Sequence, residues 1–186
     1  MVFVSFLMKY PKNHFELLYF NHGTDHGQEA EEFLVNFCSK NQLKLHIGRI
    51  SREKIKGESP EEFWRNERYA FFEKFDRTIL TCHHLMDCVE TWIFSSLRGN
   101  PKLIPHMRGK FLRPFLAVPK SEIEKWAVKY SVKYVEDPSN ESLKYSRNKI
   151  RHQLIPIANT INPGLETTIK KLIVNRFSNK SEKVDN

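Results

Sequence analysis

Over the first hundred residues the hydrophobic period switches repeatedly between that of a helix and that of a strand. Val2, Phe3, Phe6, Leu7 and Tyr10 share one helical face, and Pro11 ends that run. Glu16 to Asn21 (ELLYFN) is a short apolar run that stops at Asn-His-Gly, a strand followed by a turn. In Gln28 to Gln42, Ala30, Phe33, Leu34, Phe37 and Cys38 follow the spacing of an amphipathic helix. Leu43 to Ile50 alternates apolar and polar residues, as a half-buried strand does. A polar loop from Arg52 leads to Pro60, which opens a helix to Phe75. Thr78 to Cys82 is a β-branched strand, and His84 to Leu97 is a helix closed by Arg98-Gly99. Strands that alternate with helices imply an α/β fold, a Rossmann-like parallel sheet with helices on both faces. Ligands of such sheets sit beyond the carboxyl ends of the strands. Attention therefore falls on Asn21-His22-Gly23, on Gly48 to Ser51 and on Cys82-His83-His84.

After Gly99 the pattern changes. Asn100 to Pro119 is rich in proline and basic residues and has little periodicity. Ser121 with Glu124 forms a capping box that starts a helix bearing Ile123, Trp126, Ala127 and Tyr130. Val132 to Val135 is extended, 137–140 is a turn, Leu143 to Leu154 is helical, and Pro163 to Arg176 is a final helix. The expected organisation is an α/β domain over 1–99, a small, helical, basic segment over 100–176 and a disordered tail over 177–186.

The net charge of +8 is uneven. Between Arg98 and Lys120 there are six basic residues and no acidic one. From Asn140 to Arg176 there are seven basic residues against Glu141 and Glu166. Such a half suggests a polyanion, with nucleic acid the first candidate, although a solvated basic surface has the same composition. No stretch is long and apolar enough for a membrane span, and the N-terminus lacks the basic flank and cleavage site of a signal peptide. Cys38, Cys82 and Cys88 are an odd set that makes no disulfide framework, so a reducing, cytoplasmic location is expected.

Three constellations carry chemistry. In His83-His84-Leu85-Met86-Asp87-Cys88-Val89-Glu90-Thr91, the histidines end a strand and begin a helix, where free N–H groups favour an anion. Asp87 and Glu90 lie three apart on one helical face and suit a metal-bound phosphate or an ammonium group. They also suit the solvated face of an amphipathic helix. Zinc is disfavoured because no paired C-x-x-C is present. Arg65 and Arg68, again three apart, can clamp a phosphate or pair with Glu61, Glu62 or Glu67. Glu136 to Asn140 and Tyr145 to Arg151 make a turn and a helix with Arg147 and Arg151 on one face, which fits a phosphate backbone or a plain basic surface.

In this order the elements resemble the tRNA(Ile)-lysidine synthetase family of the N-type ATP pyrophosphatase superfamily. The resemblance rests on Asn21-His22-Gly23, Trp64 to Tyr69, Cys82 to Thr91, Arg113-Pro114-Phe115-Leu116, Glu136 to Asn140, and Arg147-Asn148-Lys149-Ile150-Arg151 with Leu154 and Pro156. Leu97-Arg98-Gly99 matches loosely, Met86 stands where the family has Asp, and Cys88 where it has Gln. The superfamily's S-G-G-x-D-S phosphate loop has no counterpart, and Met1 to Val4 matches the helix just after it. The first strand and that loop are therefore expected to be missing, through a misplaced start or a natural truncation. The large C-terminal tRNA-binding domains of longer members are expected to be missing too.

The resemblance implies an adenine nucleotide alpha hydrolase-like fold and an ATP-dependent, C–N bond-forming ligase. Such an enzyme joins free lysine to the wobble cytidine of a tRNA(Ile) with anticodon CAU, through an adenylated intermediate. By position, Arg65, His83, His84, Asp87 and Glu90 would be catalytic. Asn21, His22, Gly23, Arg65, Arg68 and His84 would bind ATP, whose Mg²⁺ could meet Asp87. Arg98, Arg113, Asn140, Arg147, Asn148 and Arg151 would contact tRNA. Alternatives are a catalytically inactive tRNA-binding protein and another enzyme of the superfamily, such as a tRNA thiolase. A homodimer is compatible with the sequence, which fixes no assembly.

Overall fold

A computed structural model describes residues 1–181 apart from Pro11 and Asn13, and leaves the side chains of Glu61 and 178–181 undescribed. The helix end expected at Pro11 thus lies outside the described residues. The chain divides into two compact units, Phe3–Arg77 with Lys133–Asp137, and Thr78–Val132 with Pro138 onward. The division falls at Arg77–Thr78, earlier than the composition shift near Asn100 on which the 1–99 and 100–176 boundary was expected. The reason is packing: α4 (Leu85–Ser96) buries its apolar face against α8 (Leu165–Ser181).

The first unit begins with α1 (Val2–Met8), which has no side-chain cap. In β1 (Leu17–Asn21) and β2 (Leu45–Arg49) the strands run parallel, with Leu17 opposite Leu45 and Asn21 opposite Arg49. They are joined by α2 (Asp25–Lys40), as a parallel crossover requires. Thr24 caps α2 by accepting the Gly27 N–H at 3.0 Å. In α3 (Pro60–Glu73), Ser59 accepts the Glu62 N–H at 3.2 Å and Pro60 takes the first turn. Gly48 lets β2 approach α3 closely, because a Cβ there would lie 2.5 Å from the Phe71 ring.

The second unit carries a small mixed sheet. β3 (Ile79–Leu80) runs parallel to β5 (Phe111–Leu112), which pairs antiparallel with β4 (Met107–Arg108). The hairpin formed by β4 and β5 stands where little periodicity was expected. Its strands are too short for alternation to register, and the signal was Gly109, which takes φ +55° at the first turn position. Leu85, Val89 and Ile93 of α4 pack with Leu116, Ile150, Ile155 and the Ile169 and Ile173 face of α8.

Three helical boundaries depart from expectation. α5 (Lys120–Lys129) is capped by extended Pro119, with no side-chain hydrogen bond, so Ser121 lies inside the first turn and its capping box does not form. The run through α6 (Ser146–Lys149) passes into a π-helical stretch, Ile150–Leu154, and on into α7 (Ile155–Ile161). The wider π turn lets the backbone carry Pro156, which lacks an N–H and crowds the carbonyl four residues earlier. Finally, α8 runs to Ser181, across the start of the expected 177–186 tail. Phe177 extends the Ile169 and Ile173 spacing, and its ring meets His106 with centroids 4.6 Å apart. Residues 182–186 lie outside the described part.

Candidate active site

In the first unit the site grows from the carboxyl end of β1. Asn21 is buried there; its amide donates to Glu31 at 2.8 Å, and its Oδ1 accepts the Gly23 N–H at 2.8 Å. Gly23 takes φ +77°, which glycine adopts at little steric cost, and this turns the chain into α2. Glu31 is itself buried and is paired with Arg49 at the end of β2. Between them His22 is half-buried, edge-on to Phe20 at 5.1 Å and tilted against Trp64 at 5.7 Å. Burial and the Arg68 cation hold its imidazole below the usual histidine range, against the opposing pull of Asp137. A neutral His22, Arg68 and Asp137 therefore share one neighbourhood, with the buried His22 Nδ1 lacking a protein partner. Arg65 is exposed, with its guanidinium 4.7 Å from the Tyr69 ring centre. Of the carboxylates considered as arginine partners, Glu67 binds elsewhere: it accepts the Ser51 N–H and hydroxyl at 3.0 Å each, and pairs with Arg52 at 3.0 Å.

In the second unit another cluster of candidate residues lies along α4. His83 and His84 follow β3, with His83 Nδ1 3.1 Å from the Thr81 hydroxyl. Asp87 accepts the His84 backbone N–H at 2.8 Å. It thus occupies part of the helix N-terminus that the sequence assigned to an anion, and its negative charge is favoured there by the helix dipole. The His84 ring lies 3.7 Å from the same carboxylate, and its buried Nδ1 makes no hydrogen bond.

Glu90 is fully buried. One oxygen accepts from Arg151 Nε at 2.6 Å, and the other has no partner. The structure therefore joins a residue expected to be catalytic to one expected to touch tRNA, from elements far apart in sequence. Asn148 is buried as well, donating to the Ser139 and Ser142 carbonyls at 2.8 and 2.9 Å, while His152 bonds the Asn140 carbonyl at 2.9 Å. Asn148 thus holds the 138–142 turn in place, with both of its amide N–H groups spent on that turn. Arg113 is likewise only 4% exposed, and donates to the Pro105 carbonyl at 2.9 Å. It cannot reach a tRNA without unpacking. Arg147 and Asn140 are exposed, and Arg98 is exposed with its guanidinium 4.1 Å from the Phe94 ring centre.

Sequence reasoning missed Glu31 and the Ser51–Arg52–Glu58–Glu67 cluster. For Glu31 the signal was a carboxylate in register with Leu34 and Cys38, on a face read as apolar. Among the described residues no group of three His, Cys, Asp or Glu side chains is placed to hold a metal ion. No helix among them is long and apolar enough to cross a membrane.

The sequence pattern of the PP-loop domain matches residues 1–158. The tRNA(Ile)-lysidine synthase of Thermotoga maritima is 33% identical over 159 residues, covering 79% of this chain and 38% of that protein. The tRNA(Ile)-lysidine synthase of Francisella tularensis subsp. tularensis is 36% identical over 150 residues, covering 72% of this chain and 38% of that protein. The chain thus spans 38% of the length of these relatives. In fold it is similar to the U34-tRNA thiolase of Methanococcus maripaludis, with a TM-score of 0.68 at 18% identity, over 95% of this chain and 68% of that one. The α/β architecture with its parallel strand pairs, the motif residues at the strand ends and the match over 1–158 lead to one assignment: this chain belongs to the PP-loop domain family.

Proposed function

We propose that the protein to which these residues belong is an ATP-dependent ligase that joins free lysine to the wobble cytidine of a tRNA(Ile) with anticodon CAU. In that reaction the carbonyl oxygen at position two of the cytosine is adenylated, which turns a poor leaving group into a good one. The lysine amine then displaces AMP. The observation that carries this reading is the Glu90–Arg151 pair. It ties the two family-like motifs together and leaves one buried carboxylate oxygen without a partner, an unmet acceptor that a cationic donor would satisfy.

The remaining roles follow from the side chains in each unit. Arg68 and exposed Arg65 offer positive charge to phosphates, and neutral His22 with Asn21 and Gly23 lines the nucleotide cleft. His84 and His83, at the end of β3 and the start of α4, would act near the phosphate and the cytidine. Asp87 is fixed at the head of α4 and can meet the lysine ammonium or one Mg²⁺. With no three-residue ligand group among the described residues, Mg²⁺ would arrive on the ATP phosphates, with Asp87 as its one protein carboxylate. Arg147, Asn140 and Arg98 provide exposed contacts for the tRNA.

A thiolase reading is disfavoured by the cysteines. Cys38 and Cys88 are buried, burial pushes the Cys88 thiol up to about 12, and the exposed Cys82 thiol is also held above its usual range, away from the thiolate that sulfur chemistry needs. Single-turnover measurement of tRNA-dependent pyrophosphate release tests the assignment. Asp87→Asn and Arg65→Ala are each expected to slow it at least tenfold, and normal rates in both would sink the roles assigned to these two residues.

A further inference from the structure

The positive charge of the 98–120 segment meets one structural feature, the β4–β5 hairpin. Its tip is Met107-Arg108-Gly109-Lys110, with Met107 58% exposed, Arg108 and Gly109 exposed and Lys110 half-buried. The segment from Arg98 to Lys120 contains no carboxylate of its own. The base of the hairpin, by contrast, is built like a core. Phe111 and Arg113 are buried, the Arg113 N–H donates to the His106 carbonyl at 2.9 Å, and its guanidinium donates to the Pro105 carbonyl at 2.9 Å. His106 is braced by Phe177 of α8, and β5 is the central strand of its sheet. A two-residue turn with Gly109 at positive φ holds the tip in a fixed shape.

We propose that this hairpin is a phosphate-backbone contact for the RNA substrate. Arg108 and Lys110 supply the cations, and Arg113 is the positioning residue that sets where they stand. A rigid, basic tip with one exposed Met suits the regular charge of a nucleic-acid backbone, with an apolar surface for a sugar or base edge. A merely solvated basic loop would have no need of a buried guanidinium beneath it, since a buried cation is costly unless it is bound. The inference rests on the RNA-substrate reading above and assigns a surface to it.

Binding of a tRNA(Ile) transcript is measured across a salt series, for the protein produced from the full reading frame that contains this chain. Arg108→Ala with Lys110→Ala is expected to weaken binding roughly tenfold, equally for unrelated tRNAs, and to flatten the logarithmic salt dependence by about 1.5. Arg113→Met removes no exposed charge. It is expected to weaken tRNA binding as well and to raise hydrogen exchange across residues 107–112. If the double variant binds tRNA with unchanged affinity and salt slope while Arg147→Ala weakens it, the hairpin assignment is wrong and the RNA reading stands. If the unaltered protein binds no tRNA, the RNA reading itself falls and takes the assignment with it. Should Arg113→Met fail to fold, the double variant alone decides.

Discussion

Glu90 has no exposure to solvent, and its two oxygens differ: one is bound to Arg151 and one is unbound. Removing one member of a buried pair commonly costs about 3–5 kcal/mol. Arg151 is 31% exposed, so the cost of Glu90→Gln should be on the order of 2 kcal/mol. A double-mutant cycle of Glu90→Gln with Arg151→Met, read by chemical denaturation, should give a coupling of about 1 kcal/mol or more. Simple additivity would show that the contact carries no energy. Gly27→Ala tests the other unit. Its Cβ would stand 2.6 Å from Asn21 Oδ1, so the amide that fixes Gly23 and Glu31 must move. Overpacking of this kind costs about 1–3 kcal/mol, and a melting temperature equal to that of the unaltered protein would contradict the packing described. At this scale the sequence pointed to Asn21, His22 and Asp87, which the fold sets at a strand end and at a helix start. It was misleading at Arg113 and Asn148. A basic or amide side chain reads as an RNA contact, and only the fold reveals that each is buried and donates to backbone carbonyl groups.

Helices and loops show the same contrast between local signal and tertiary choice. Ser121 reads in the sequence as a helix starter and Thr24 does not, yet of the two only Thr24 accepts a backbone N–H as a cap. Thr24→Ala should therefore cost about 1 kcal/mol, whereas Ser121→Ala should cost only a few tenths. Equal losses by thermal melting would contradict the caps assigned. The loop between β2 and α3 is held by charges. Arg52 grips Glu58 through two nitrogens at 2.9 and 3.0 Å, and the Ser51 N–H is the largest of the contacts that hold the Glu67 carboxyl below the usual range. The Arg52 hydrogen bond does the same for Glu58. Both folded values lie below the ordinary 4.5, so this clamp contributes fully above that pH and is lost as pH falls through the lowered values. The Ser51 amide resonance should titrate with a midpoint below 4.5, and a midpoint at or above it would remove the clamp. None of this was legible beforehand, because a polar loop rich in Glu, Lys and Arg carries no period. The alternation of strand and helix up to Leu97 was legible, since each of those elements is long enough to show its period or is bounded by a turn or cap. The two-residue strands β4 and β5 were too short.

At the scale of the whole molecule, two compact units each hold a cluster of polar side chains. One holds His22 at the end of β1 with Arg68 and Asp137 nearby, and the other holds His84, Asp87 and Glu90 along α4, with Arg151 reaching Glu90 from the π-helical stretch. The central claim is that these groups serve lysine transfer to a tRNA. It is tested most directly with the protein produced from the full reading frame, a CAU-anticodon tRNA(Ile) transcript, ATP and radiolabelled lysine. The expected result is lysine joined to the wobble cytidine, with AMP and pyrophosphate released in step and both lost in Glu90→Gln. Stable tRNA binding without pyrophosphate release, or sulfur in place of lysine on the product base, would contradict it.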